Sequence, residues 1–388
     1  MSVETAQVTH VDAIRPTVCA GRVRAIDATR GFAMLFVFLS HFAEVYIRPN
    51  NIPLFVFYAI SMVASPTFMI VSGILLGYFY AARRQDWKKI RLNYLRRGLF
   101  LLTIGHLIIT LSHYPLAGSI PAMVRWFFIT DTIGIAIIAG PFLVGWLSRG
   151  VRLAAALAMM ILTMAVLLFV PPHGMPERVL LEFFFGPVGA YADRWFADVF
   201  PVVPWFALFI AGSVVGEYLG KQGRTSMVSE LLTRILGVAS LAVGALLQAA
   251  HQIARGYSGP WVVKLVRTSL FSFESKLPPS VTYFLLYAGV GLLVLSCLLF
   301  FERKGSMTGG MSMLEVMGRN SLFVFIVQYI VYFSFIEVMH IGYTPFWPAI
   351  FAVSVVFIWV CAVASDRWKW NKLLTIPMPV CLTERMAG

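Results

Sequence analysis

Long apolar runs separated by short polar stretches recur along the whole chain, at about residues 26–47, 54–82, 98–112, 126–148, 152–170, 202–220, 235–254, 281–300, 320–340 and 346–364. Wound as a helix, roughly 20 apolar residues cross the ~30 Å of bilayer hydrocarbon. Backbone groups inside hydrocarbon must be satisfied internally, which admits only helices or a closed barrel. A barrel would show short alternating segments, so unbroken runs select helices. The pattern therefore predicts an all-α, polytopic transmembrane bundle of about ten spans. Two connecting segments are too long for simple turns. Residues 171–201 mix Pro171, Pro172, Pro176, Pro187 and Pro201 with aromatics such as Phe183, Tyr191 and Trp195, a mixture suited to a short interfacial or re-entrant element. Residues 255–280 are basic, end at Pro278 and Pro279, and are expected to cover the outer mouth of a cavity.

Charge fixes the expected orientation. With a cytoplasmic N-terminus, 22 of the 31 Lys and Arg fall on the inside, 8 outside, and Arg30 within the first span. That bias predicts both termini in the cytoplasm. The net charge of +13 is thereby explained by topology, and no nucleic-acid partner is expected. Composition agrees: 59% of the residues are hydrophobic, only 13% are charged, and the mean hydropathy is +0.80. A soluble domain of this size could not bury so much apolar surface. The reading is a cytoplasmic tail over 1–24, a membrane domain over 25–365 and a second cytoplasmic tail over 366–388. The first 24 residues lack an apolar core, so no cleavable signal peptide is expected. Cys19, Cys297, Cys361 and Cys381 are scattered, which indicates neither a metal site nor a disulfide framework.

Ionisable residues inside spans are functional candidates because lipid penalises them by several kcal/mol unless they are paired or hydrated. They concentrate in the first span. Arg30 and His41 are eleven residues apart, which is three helical turns plus about 20°, so they share a face roughly 16 Å apart along the axis. Asp27 lies three residues before Arg30 and Glu44 three beyond His41, completing one polar stripe. Such a stripe must face protein or a water-filled cavity. In the second span Pro66 kinks the helix, while Ser72, Gly73 and Gly77 offer a small-residue surface to another helix or to a ligand chain. Arg96 and Arg97, at the head of the third span, are candidates for a phosphorylated cofactor. His106, Asp131, Glu217, Gln248, His251, Asn320, Gln328, Glu337 and His340, taken singly, read as packing or interface groups. Asp131 stands out among them beside Thr130 and Thr132.

Arg30 and His41, followed by FMIVSG at Phe68 to Gly73, resemble the signature of membrane acyltransferases of the acyltransferase type 3 superfamily. Three further segments, Phe200 to Gly220, Lys276 to Gly289 and Met317 to Gln328, resemble the branch related to heparan-alpha-glucosaminide N-acetyltransferase. The resemblance spans roughly residues 22–340. It implies an acyl-CoA co-substrate, acetyl-CoA or succinyl-CoA, bound from the cytoplasmic side of a bacterial inner membrane. It also implies a hydroxyl or amine acceptor, usually on a saccharide or glycolipid, reaching the site from the opposite side. His41 matches the catalytic histidine, Arg30 the accompanying arginine and Asp27 its associated motif. The sequence departs from the family where a histidine often stands and Gln328 is found, and at Asp131.

On that basis neutral His41 is expected to act as general base, with Glu44 orienting the imidazole. Arg30 would contact the donor through a channel organised with Asp27, with Ser72 and Gly73 along the donor's path and Arg96 and Arg97 on its phosphates. The rival reading is a proton-coupled transporter or flippase without covalent chemistry, since carriers also use intramembrane Asp, Glu, Arg and His. A homo-oligomer is compatible with the sequence, membrane lipid is the surrounding partner, and no metal is called for.

Overall fold

The computed structural model describes residues 22–46, 52–119, 123, 125–187, 194–196, 198–223, 226–336 and 344–376. Helices dominate it, as the apolar runs predict. In chain order they are α1 (Arg24–Tyr46), α2 (Ile52–Ser61), α3 (Ala64–Ala82), α4 (Trp87–Phe100), α5 (His106–Ser112), α6 (Tyr114–Ala117), α7 (Ile129–Trp146), α8 (Arg149–Phe169) and α9 (Met175–Phe184). They continue as α10 (Val202–Gln222), α11 (Met227–Arg255), α12 (Trp261–Val266), α13 (Val281–Arg303), α14 (Gly310–Arg319), α15 (Ser321–Tyr329) and α16 (Trp347–Trp368). Two π-helical segments interrupt the pattern, Leu101–Gly105 between α4 and α5 and Ile330–Ile336 after α15. Strand structure among the described residues is confined to β1 (Trp126–Phe127) and β2 (Asp198–Val199), paired in parallel with Trp126 opposite Asp198.

Among the described residues, nine helical stretches are long and apolar enough to span a bilayer, or ten if one bent pair is counted as a crossing. This pair joins α14 to the run Ser321–Ile336 at 87°. The run predicted over 320–340 therefore starts at a corner, and its described part ends at Ile336. Asn320, at the corner, has left helical geometry, and its side-chain amide donates back to the Val316 carbonyl at 2.9 Å. Glu337 and His340 lie outside the described residues. A second difference concerns the basic stretch before the third span. It is helical from Trp87 onward, because Lys88 to Arg97 contains no Gly or Pro to stop a run of good helix formers.

α1 stands inside the bundle against α2, α3, α13, α14 and α15. Its first N–H groups have no intrahelical partners. Here the Glu302 carboxylate at the end of α13 accepts them, from Arg24 N at 3.1 Å and Ala25 N at 2.7 Å, while the Arg24 side chain donates to Glu315 of α14 at 2.7 Å. The start of the polar helix is thus fixed by two other elements. α3 and α10 form the closest helix pair. Gly73 and Gly77 face the α10 backbone at Phe209 and Ser213, and Gly212 and Gly216 face the α3 backbone at Ile70 and Ile74. A Cβ at any of the four would collide with main chain, which is the usual reason for small residues at close crossings in membranes. α8 is mostly lipid-facing and is pinned to α10 by charge: buried Arg152 pairs with Glu217 and donates to Ser213 Oγ at 3.0 Å, and Glu217 also meets Arg149 and Lys221.

The two long connections behave differently from loops. Residues 171–201 contain α9, whose Glu182 is buried and accepts from the backbone N–H groups of Trp195 and Phe196. Residues 255–280 contain α12, and Glu274 to Leu277 of this connection line a cavity inside the bundle.

Candidate active site

A cavity of about 540 Å³ lies inside the bundle towards the C-terminal end of α1. α1 contributes Val37, Ser40, His41 and Glu44 to its wall, so the predicted stripe does face a cavity over its second half. Tyr58, Ser61, Ser65 and Phe68 come from α2 and α3, and Phe325, Tyr329 and Phe333 from α15 and the π segment behind it. The two long connections add Asp198, Glu274 and Lys276 to its wall.

The His41 imidazole is held by a hydrogen bond of 2.7 Å between Nδ1 and Gln328 Oε1. With the amide oxygen facing the ring, Nδ1 is the donor and Nε2 presents its lone pair. Gln328 itself is fully buried. The ring is walled by Tyr329 and Phe333, with centroids 4.8 and 5.2 Å away. Tyr329 and Phe333 are four residues apart and stack on one another at 5.7 Å, so they present one aromatic face to the imidazole. Glu44 was expected to orient the imidazole and does not: it lies one turn further on, exposed to the cavity, and no hydrogen bond joins it to His41 among the described residues.

Arg30 sits about three turns nearer the start of α1 and does not reach the cavity. Its guanidinium donates to Ser321 Oγ at 2.5 Å and lies over the Phe68 ring, 5.3 Å from the centroid. Phe68 packs against Phe325 at 6.3 Å, and both rings also line the cavity. These two aromatics therefore stand between the arginine and the imidazole. Asp27 was expected to organise the channel with Arg30. Its carboxylate is instead engaged by Arg22 as a two-contact ion pair, while acting on Arg30 only through space. Tyr94 and Arg97 of α4 lie within electrostatic range of the same guanidinium.

The remaining predicted cofactor residues separate. Ser72, one turn beyond Phe68 on the same face of α3, has a buried hydroxyl that makes no hydrogen bond among the described residues, and the same holds for Arg30 Nε. Gly73 is a correction, since its open side is filled by the α10 backbone and serves packing rather than a ligand chain. Arg96 is tied to the C-terminal segment: its Nε donates to the Ile376 carbonyl at 2.8 Å and its own carbonyl accepts from Ile376 N. Arg97 is exposed, and its guanidinium makes no hydrogen bond among the described residues.

Several cavity residues carried no signal in the spans. His113, just past the end of α5, is buried and stacks on Phe333 with centroids 4.1 Å apart. Asp198 reaches the wall because β2 pairs with β1. Burial raises its carboxyl above the ordinary range, opposed by Lys276 and by the Val199 N–H. Lys276 places its ammonium over the Phe200 ring at 5.2 Å. Asp131, conspicuous in the sequence, has a structural role: it accepts from Phe128 N at 2.9 Å as a helix cap and from His106 Nδ1 at 3.0 Å.

Apolar spanning helices around a polar, imidazole-bearing cavity define a multi-pass membrane protein with an internal site. The acyltransferase domain family, acyltransferase type 3, matches residues 23–366, and the chain belongs to that family. It is a membrane acyltransferase. No curated protein matches the sequence.

Proposed function

We propose that this protein transfers an acyl group from cytoplasmic acyl-CoA to a hydroxyl of a saccharide or glycolipid, with His41 as general base. The single observation that carries the reading is the His41 imidazole held 2.7 Å from the Gln328 side-chain amide in a helix-enclosed cavity; in the tautomer that donates from Nδ1, Nε2 is the basic atom. The acceptor O–H would attack the thioester carbonyl carbon while Nε2 takes its proton. The C–S bond then breaks, and the imidazolium returns the proton to the departing CoA thiolate. Acceptor, ester and thiol balance with no net proton consumed. General-base assistance of this kind contributes on the order of 10²- to 10⁴-fold.

The donor reading rests on the other half of α1. Arg30 Nε and Ser72 Oγ are buried polar atoms without hydrogen bonds among the described residues, both close to Phe68. A thioester arm passing that ring would offer them its amide and carbonyl oxygens, and exposed Arg97 would meet the phosphates beyond. Acetyl-CoA and succinyl-CoA are the donors to assay. The heparan-alpha-glucosaminide N-acetyltransferase-like branch, the bacterial inner membrane and the cytoplasmic placement of both termini belong to the same proposal, the last supported by the inside excess of Lys and Arg. Family membership favours covalent chemistry over the carrier reading.

His41→Ala in a membrane fraction supplied with labelled acyl-CoA is expected to lose transfer by about 10²-fold or more. Undiminished transfer by a correctly inserted variant removes His41 from the chemistry. Arg30→Ala is expected to weaken acyl-CoA binding, and unchanged binding and turnover would reduce Arg30 to an anchor.

A further inference from the structure

The cavity holds a second imidazole that the reaction described above does not use. His113 Nδ1 stands 2.8 Å from the Ile109 carbonyl, one turn back in its own helix. A carbonyl only accepts, so this nitrogen carries the proton and the far nitrogen, Nε2, is left with a lone pair. His41 is fixed in the same tautomer by Gln328. The two rings share walls: Tyr329 lies 4.8 Å from His41 and 5.0 Å from His113, and Phe333 lies 5.2 and 4.1 Å from them. One chamber therefore presents two imidazole lone pairs, each oriented by a hydrogen bond on its opposite nitrogen.

The surroundings of His113 have a definite chemistry. Trp126 meets the ring edge-on at 4.8 Å, and the short parallel ladder sets Trp126 opposite Asp198, which lines the same cavity. An indole face, a carboxyl and an imidazole acceptor lie together, away from Arg30. A ligand group filling that corner would donate hydrogen bonds and offer C–H surface to the ring. A hydroxyl-bearing carbon does both; a second alkyl group would leave the lone pair and the carboxyl unmatched, a loss that buried polar sites penalise strongly.

We infer that His113, with Trp126 and Asp198, forms a subsite for a second hydroxyl of the acceptor, adjacent to the one acylated at His41, so that the enzyme selects polyols over simple alcohols. This rests on the acyltransfer reading above. His113 is on this account a positioning residue, because the bond that forms is made at the hydroxyl held by His41.

The test uses the full chain in nanodiscs with acetyl-CoA and succinyl-CoA in turn, and 1,2-propanediol against 1-propanol, a pair differing by one hydroxyl. The wild type is expected to release CoA with kcat/KM at least about tenfold higher for the diol. His113→Asn keeps a donor in the Nδ1 position towards Ile109 but removes the Nε2 acceptor, and is expected to bring the ratio to within about twofold, chiefly through KM for the diol. His113→Gln places an amide oxygen near the Nε2 position and is expected to restore part of the preference. A wild type that does not discriminate, or a His113→Asn variant with the ratio unchanged, overturns the inference while leaving acyl transfer standing. CoA release by His41→Ala at the wild-type rate, or no release from either thioester by the wild type, overturns the acyltransfer reading and this inference with it.

Discussion

Gln328 holds the His41 imidazole, the group proposed above as general base. A neutral amide can receive the Nδ1 proton and hold the tautomer, but it cannot lend a full charge to the imidazolium formed when Nε2 is protonated. Gln328→Leu should therefore lower transfer by on the order of tenfold or more, because the ring is then free to flip or to carry its proton on the wrong nitrogen. Gln328→Glu still accepts from Nδ1 and should retain activity. Steady-state rates of the two variants separate tautomer control from bulk, and equal losses in both would argue against it. Asp198 permits a test of a different kind. Burial raises its folded-state carboxyl above the unfolded value, so stability is lost as the pH rises from the unfolded to the folded carboxyl range, and the loss is complete above it. Asp198→Asn should then raise the melting temperature at neutral pH. The gain should vanish as the pH falls below the ordinary carboxylate range, where the wild-type carboxyl is protonated in both states. Melting curves across pH check the sign, and an increment that grows towards acid would contradict it.

At the level of elements, the α3–α10 crossing holds the bundle close behind the cavity. Gly216 has the Ile74 main chain directly in front of it, so Gly216→Ala must push two backbones apart at a cost of about 1–3 kcal/mol. Gly150 has open space and provides the control. Thermal unfolding in detergent should show a lowered midpoint for the first substitution and little change for Gly150→Ala. The small-residue pattern of the second span was visible in the sequence, and so was the stripe of α1, because both follow from periodicity within one helix. What pairs with them was not visible. Gln328 is nearly 290 residues from His41, Glu302 nearly 280 from the N–H groups it caps, and no local spacing announces either contact. His113 escaped notice for a related reason: it ends a helix whose interior is broken by a π turn, and one displaced residue is enough to defeat a count at 100° per residue. Arg96 read as a phosphate ligand because its charge is visible in the sequence, whereas its carbonyl partner at Ile376 is not.

For the molecule as a whole, orientation is the statement that most needs measurement. With the native cysteines replaced, a single cysteine introduced as His173→Cys should react with a membrane-impermeant maleimide in intact cells, and Ser306→Cys should react only after lysis. The reverse pattern would put the acceptor mouth on the cytoplasmic side and exchange the roles assigned to the two ends of α1. The connection over 255–280 was legible as more than a turn from its prolines and its length, whereas Glu274 and Lys276 became relevant only once the fold had set them in the cavity wall.

The two rings between Arg30 and the chamber have a consequence for the cell. A catalyst with a doorway on each face of an energised bilayer is at risk of short-circuiting the ion gradients across it. On the donor route proposed above, Phe68 and Phe325, edge to face and flanked by the Arg30 guanidinium, would act as the seal while no thioester is bound. Proteoliposomes carrying Phe68→Ala should dissipate an imposed proton gradient faster than wild type, as read by an entrapped pH dye, and tight vesicles would show that the barrier lies elsewhere.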